Sequence, residues 1–322
     1  MAVWYLLGMF LKGWRNNMKK FMVLVCIFVM ICLTSCKSTL TDEITPNDSN
    51  SNSVDTVEKM INIDGVISVK KQDFSKQIKG AVAYKILYES QNGKLAAEVV
   101  LPEDYSEENK NYKVLIYFPE ISTYIDSLAV SYAHNDIIVI RPYARGYDES
   151  EGVRDLGGNK DLADAKKLLE IINSADFIKK SKIFVAGSSE GSISALRLIA
   201  EDESNRISGC AVVDSITDLH SYGIMRGEGI QNVFNGLIGY SYEEAAEEYD
   251  LRSAVKFSHK LNKPLLILHY TKNPLFNIEQ PDKLYELLKN NSDCTYHKID
   301  ELSADFQGEA LQRLLSWMNK YD

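Results

Sequence analysis

Apolar positions along this chain alternate between two patterns. Tyr112–Phe118 (YKVLIYF), Asp136–Ile140 (DIIVI), Ile183–Ala186, Ile207–Val213 and Pro264–His269 are short, nearly unbroken apolar runs. Such runs fit strands covered on both faces. Tyr84–Ser90 and Leu95–Leu101 are also strand-like and are joined through Gln91-Asn92-Gly93-Lys94, where Asn-Gly suits a tight hairpin. Ser122–His134, Asp161–Asn173, Ser192–Ala200, Glu279–Leu288 and Gln307–Tyr321 carry helical spacing, and Thr295–Ile299 adds a last strand. Thr217–Lys260 reads as a mixed helical insertion. Strand and helix in alternation predict an α/β fold, a mostly parallel central sheet with helices on both faces. Ligands in such sheets bind at the carboxyl ends of the strands.

The start of the chain departs from this pattern. Met18-Lys19-Lys20 is a basic opening, Phe21–Leu33 is an apolar run of thirteen, and Leu33-Thr34-Ser35-Cys36 closes it. A bilayer span needs about 20 residues, so this run is the core of a signal peptide covering residues 1–35, with Met18 the expected start. Leu33-Thr34-Ser35-Cys36 resembles the bacterial lipobox, which implies cleavage before Cys36 and lipid on its thiol. Residues 36–58, rich in Ser, Thr, Asn and Asp to about Asp55, are expected to tether a domain spanning 59–322 to the membrane. The expected location is the outer face of a bacterial cell membrane.

Cleavage there removes Lys12, Arg15, Lys19 and Lys20 and no acid, so the formal charge becomes four units more negative than the −9 of the whole chain. That sign repels phosphate backbones, and nucleic acid is not an expected partner. Lipid on Cys36 has to supply the membrane affinity. Cys26 and Cys32 leave with the signal, and Cys210 and Cys294, in separate apolar runs, read as buried small hydrophobes. No cysteine–histidine spacing suggests a metal, and no cofactor is expected.

The chemistry concentrates in Lys182–Ala200, KIFVAGSSEGSISALRLIA. Strand, Gly187-Ser188-Ser189-Glu190-Gly191 and helix follow one another, with G-x-S-x-G at the turn. That order presents one serine hydroxyl, that of Ser189, above the sheet as a nucleophile. The glycines suit a turn that brings backbone and helix together without room for a Cβ. The backbone N–H of Glu190 is the expected oxyanion donor.

With these residues in place, about Ala81 to Tyr321 resembles the catalytic domain of the prolyl-oligopeptidase group of serine peptidases, within the α/β-hydrolase superfamily. Leu95–Tyr105 resembles the strand leading into a proline (Pro102), and Tyr143-Ala144-Arg145-Gly146-Tyr147 the tyrosine–arginine–glycine loop. Asp161 and Asp164 match the paired acids opening the next helix. Gly187–Gly191 matches the nucleophile turn, Tyr249-Asp250-Leu251-Arg252-Ser253 the segment before the penultimate core strand, and Pro264–His269 the strand that precedes the acid loop.

The resemblance also marks departures. Asn273 stands where the family has its aspartate, and Ala304, beside Ser303, where it has its histidine. A neutral amide cannot offset imidazolium charge, and in other triad enzymes that change costs about 10⁴ in rate. A serine hydroxyl without a base is a poor nucleophile. The loop Phe118-Pro119-Glu120-Ile121 lacks the family's histidine–glycine–glycine, and Glu120 near Glu190 would bring negative charge toward a developing oxyanion. The substitute triad open to the chain is Asp218 as acid and His220 as base for Ser189. His297 reads as a strand histidine, His269 as structural, and His134 and His259 as helix-end residues. Two functions follow. One is a membrane-anchored serine hydrolase, weak or rewired, acting on peptides or small esters. The other is an inactive relative that binds a peptide or cell-envelope ligand.

Overall fold

The computed structural model describes residues 56–72, 80–91, 93–106, 112–120, 132–133, 135–178, 181–290, 293–303 and 305–321. The signal peptide, Cys36, the tether as far as residue 55, most of the expected helix Ser122–His134, and Ala304 lie outside the described residues; Thr56 and Val57, expected in the tether, are buried.

The strands are β1 (Val66–Gln72), β2 (Ala81–Ser90), β3 (Gly93–Pro102), β4 (Lys113–Phe118), β5 (Ile137–Pro142), β6 (Ile183–Ser188), β7 (Ile207–Val213), β8 (Leu265–Tyr270) and β9 (Cys294–Ile299). Among the described residues they form one nine-stranded sheet in the order β1-β2-β3-β5-β4-β6-β7-β8-β9. β1, β2, β3 and β5 pair antiparallel. From β5 across to β9 every pairing is parallel. The hairpin is as expected, with Ser90 opposite Gly93. β1 was not legible beforehand: its exposures do not alternate cleanly, and Lys70 and Lys71 stand on this edge strand. Charged side chains of this kind protect an edge from pairing with another chain.

Side chains of a strand alternate between faces, and here both faces are apolar. In β6, Ile183 and Val185 join the core on one side, Phe184 and Ala186 the core on the other. Among the described residues, three helices cover the first side: α1 (Asn159–Ser174), α2 (Gly191–Ala200) and α6 (Glu279–Leu288). The other side receives α7 (Gly308–Lys320) through Ala310, Leu314, Trp317 and Met318.

The expected helical insertion contains α3 (Leu219–Arg226), α4 (Glu228–Ile238) and α5 (Ala246–Asp250). It has a small core of its own, in which Leu219, Tyr222, Phe234 and Tyr249 pack with Ile193 of α2. The insertion is thereby fastened beside the start of α2, the edge at which Ser189 stands. No helix among the described residues is long and apolar enough to cross a membrane.

Candidate functional site

Ser189 follows β6 directly and has φ +50°, in the left-handed region that costs a side-chain-bearing residue energy. The turn is held on both sides. Ser189 N–H donates to the Val213 carbonyl at 3.2 Å, and Ser192 N–H returns to the Ser189 carbonyl at 3.2 Å. A Cβ on Gly191 would lie 2.1 Å from the Phe118 carbonyl oxygen, and one on Gly187 would lie 2.6 Å from that of Gly191. Both positions therefore exclude a side chain, because β4, β6 and α2 converge there.

The Ser189 side chain is buried, and its Oγ donates to Glu120 Oε2 at 3.4 Å. Glu120 stands just beyond the carboxyl end of β4, and its N–H donates to Ser188 Oγ at 3.3 Å. Ser188 Oγ also lies 3.1 Å from the Tyr117 hydroxyl, which donates to Asp305. Burial, reinforced by the Asp305 charge, pushes the Tyr117 phenol well above its ordinary value, so it remains a donor. Asp305 itself has φ +72° in the loop between β9 and α7.

The loop after β8 is anchored by Asn273. Its Nδ2 donates to Asp214 Oδ2 at 2.7 Å and to the Ser303 carbonyl at 3.3 Å. Its Oδ1 accepts from Leu275 N–H at 3.1 Å. Asp214, 1% exposed and with φ +46°, follows β7 and also accepts from Tyr270 N–H at 3.0 Å. His269 Nδ1 lies 3.0 Å from Asp214 Oδ1, off the line of a hydrogen bond.

Asp218, His220 and Ser189 are not joined by any hydrogen bond among the described residues, which corrects the substitute triad. Asp218 caps α3 by accepting from Ser221 N–H at 3.1 Å and pairs with Lys283 Nζ at 2.6 Å. Burial opposes its charge, but the Lys283 ammonium and the Ser221 N–H hold its carboxyl below the ordinary value. The His220 ring stacks on Tyr242 with centroids 3.7 Å apart and meets the edge of Tyr249. Aromatic packing within the insertion sets its direction, not Ser189 at the end of the neighbouring strand. His297 pairs in register with Leu268 in the sheet, and burial together with Arg313 lowers its pKa. His269 is buried at the end of β8 and His259 lies in a short 3-10 turn, while His134 lies outside the described residues.

Next to the turn lies a cavity of about 810 Å³. Glu190, Gly191, Phe118 and Pro119 contribute to its wall, and Ser189 does not. Arg145 pairs there with Asp164 at 2.6 Å, and Arg154 with Glu190. Asp161 accepts from Gly157 N–H at 2.8 Å, and burial pushes its carboxyl up to about 6. Within the insertion, Arg226 donates to the Tyr222 hydroxyl at 2.8 Å and to the Leu275 carbonyl at 3.1 Å. No group of histidine, cysteine, aspartate and glutamate among the described residues is arranged to hold a metal. Cys210 is buried as expected, whereas Cys294 is only half-buried, its thiol pushed up to about 11 by that burial.

Asp214 and Asp305 were missed from the sequence. Each follows an apolar strand, the position at which parallel sheets gather polar groups, and that signal could have found Asp214.

Comparison with known proteins bears on the same region. The chain is 24% identical over 163 residues to the uncharacterized peptidase YtmA of Bacillus subtilis (strain 168), a match covering 50% of this chain and 61% of that one. The acetyl xylan esterase from Paenibacillus sp. R4 superimposes with TM-score 0.61 at 15% identity, over 86% of this chain and 96% of the esterase. The Pyrococcus horikoshii acylaminoacyl peptidase does so with TM-score 0.61 at 15% identity, over 77% of this chain and 42% of the peptidase. These likenesses show the α/β-hydrolase fold. The family model for the prolyl oligopeptidase family matches residues 125–321, from before β5 through α7 and across the whole serine turn. With that match and the strand–turn–helix geometry at Ser189 together, the chain belongs to the prolyl oligopeptidase family.

Proposed function

We propose that this protein is a lipid-anchored, extracytoplasmic family member that binds a peptide or cell-envelope ligand at the serine turn, with acyl transfer at Ser189 slow or absent. The observation that carries the reading is the partner of Ser189: its hydroxyl meets the Glu120 carboxylate at 3.4 Å, and no described histidine bonds to it. A carboxylate is a weaker base than an imidazole and a poor acceptor for a serine proton. It also places negative charge where acyl transfer develops more. Asn273, in the acid position, supports the reading because its amide bonds Asp214 and Ser303 instead of an imidazole. The anchoring part rests on Leu33-Thr34-Ser35-Cys36 after an apolar run.

A second reading, a serine hydrolase with a rewired base for Ser189, has one observation in its favour. The strained Ser189 conformation is maintained, and the Glu190 N–H stands at the start of α2 beside it. A fluorophosphonate probe on the full-length chain separates the two. The binding reading expects no labelling, or trace labelling, across pH 6–9. Rapid labelling that disappears in Ser189→Ala overturns it.

A further inference from the structure

Arg226 ends α3, and its half-buried guanidinium is held in place by neutral groups. Nη1 donates to the Tyr222 hydroxyl at 2.8 Å and to the Leu275 carbonyl at 3.1 Å, and the group lies 5.7 Å from the centroid of the Tyr222 ring. Both bonds leave from Nη1, so Nε and Nη2 are uncommitted. Arg145, Arg154 and Arg252 each pair with a carboxylate, whereas no carboxylate among the described residues pairs with Arg226. Neutral acceptors fix the direction of the fork and leave its charge uncompensated.

Its contacts place Arg226 beside the serine turn. Tyr222 packs with Ile193, two residues past Gly191, and stacks on Phe276. Leu275 accepts from Arg226 and donates its own N–H to Asn273 Oδ1 at 3.1 Å, so Arg226 ties α3 to the loop that starts at the family's acid position. Burial pushes the Tyr222 phenol up, and Arg226 draws it back more than Glu190 or Glu120 separately raises it. Positive charge is thus the strongest of the charges acting on that hydroxyl. Ile224 and Met225, in the same turn of α3, and Leu275 are exposed apolar side chains. A guanidinium set among apolar groups holds an anion more strongly than one surrounded by water.

We propose that Arg226 binds a carboxylate of a peptide ligand, donating to its two oxygens from Nε and Nη2, with apolar atoms of the peptide against Leu275. An acidic side chain and a peptide C-terminus present the same pair of oxygens, and the two N–H groups on that edge of the guanidinium match either. This rests on the ligand-binding reading above and names the charge that the ligand carries. Arg226 is not on the wall of the cavity of about 810 Å³, so the carboxylate is recognised at the insertion and not in that cavity.

The test is calorimetric titration of the full-length protein with two pairs of blocked peptides at low salt. One pair is acetyl-alanyl-leucine and its C-terminal amide. The other is acetyl-alanyl-glutamic acid α-amide and acetyl-alanyl-glutamine amide. In at least one pair the carboxylate member is expected to bind at least about tenfold more tightly than the neutral one. A preference in the first pair assigns the carboxylate to the C-terminus, and one in the second assigns it to the side chain. Arg226→Gln should abolish the preference, with an unchanged thermal midpoint verifying its fold. Arg226→Lys keeps the charge but not the fork and should keep only part of it, which decides the matter if the glutamine variant does not fold. Equal binding within both pairs, no binding of any of the four at millimolar concentration, a preference surviving in Arg226→Gln, or one undiminished in Arg226→Lys each overturns the proposal. Fluorophosphonate labelling reports separately. Rapid labelling with the carboxylate preference intact sinks the non-catalytic reading alone, and no labelling with no preference sinks the carboxylate site alone.

Discussion

Asn273 donates its side-chain amide to the Asp214 carboxylate at 2.7 Å, so the loop after β8 and the end of β7 are joined by a neutral donor and a buried acceptor. The pairing explains why an amide is suited to the position where the family has its acid. A second carboxylate there would face the first in a site where Asp214 is 1% exposed and Asn273 7%.

Asn273→Asp alone should therefore destabilise the fold at neutral pH by about 2–4 kcal/mol, since two carboxylates sharing a buried site cannot both ionise. The folded-state pKa of one is raised, so the variant recovers stability as pH falls toward the ordinary carboxylate range of about 4. Urea denaturation at pH 5 and pH 8 checks this, and equal loss at both values contradicts it. The exchange Asp214→Asn with Asn273→Asp keeps one donor and one acceptor and should restore most of the loss.

Asp161 carries a pH dependence of its own. Burial lifts its carboxyl to about 6, the Gly157 N–H pulls it down, and Asp155 and Asp164 push it further up. A carboxyl raised in the folded state binds its proton more tightly there than when unfolded. Stability from this group is therefore gained as pH falls through about 6, by up to roughly 3 kcal/mol once the pH is below the unfolded value of about 4. Asp161→Asn, which can still accept from Gly157, should flatten the stability profile between pH 7 and pH 4. An unchanged slope contradicts the assignment.

Two glycine substitutions should act in opposite directions. Gly191→Ala drives a Cβ to 2.1 Å from the Phe118 carbonyl oxygen and should lose more than about 3 kcal/mol or fail to fold. Gly236→Ala meets nothing within 4 Å inside α4 and should gain about 0.5–1 kcal/mol. Thermal unfolding midpoints of the two variants decide it.

Tyr117→Phe removes the hydroxyl that bonds Asp305 and lies beside Ser188. Asp305 is 8% exposed, and Phe306 N–H still donates to it at 2.8 Å, so it is left under-satisfied but not alone. A loss of about 1–3 kcal/mol is expected. Asp305→Asn together with Tyr117→Phe should lose less than the sum of the two single changes, which a double-mutant cycle reads directly.

The sheet was readable where periodicity alone decides. β7 and α6 occupy the same residues that apolar spacing picks out, and β6 extends the expected run only through Gly187 and Ser188. β1 was not readable, because an edge strand with exposed lysines lacks both a continuous apolar run and clean alternation. At the site, local residues define the serine turn, so G-x-S-x-G between strand and helix was sufficient. The surroundings of Ser189 depend on distant pairings: Glu120 is 69 positions away, and Asp214 and Asn273 are 59 apart. His220 is next but one to Asp218, yet its direction follows Tyr242 and Tyr249, which no short-range pattern reveals.

The account is tested most directly by the pH–rate profile of p-nitrophenyl acetate hydrolysis by the full-length protein and by Ser189→Ala. With a carboxylate as the partner of Ser189, the two profiles should coincide within a few-fold and show no inflection between pH 6 and pH 8. Ser189-dependent turnover rising sigmoidally through about pH 6.5, the ordinary range of an imidazole, would contradict it.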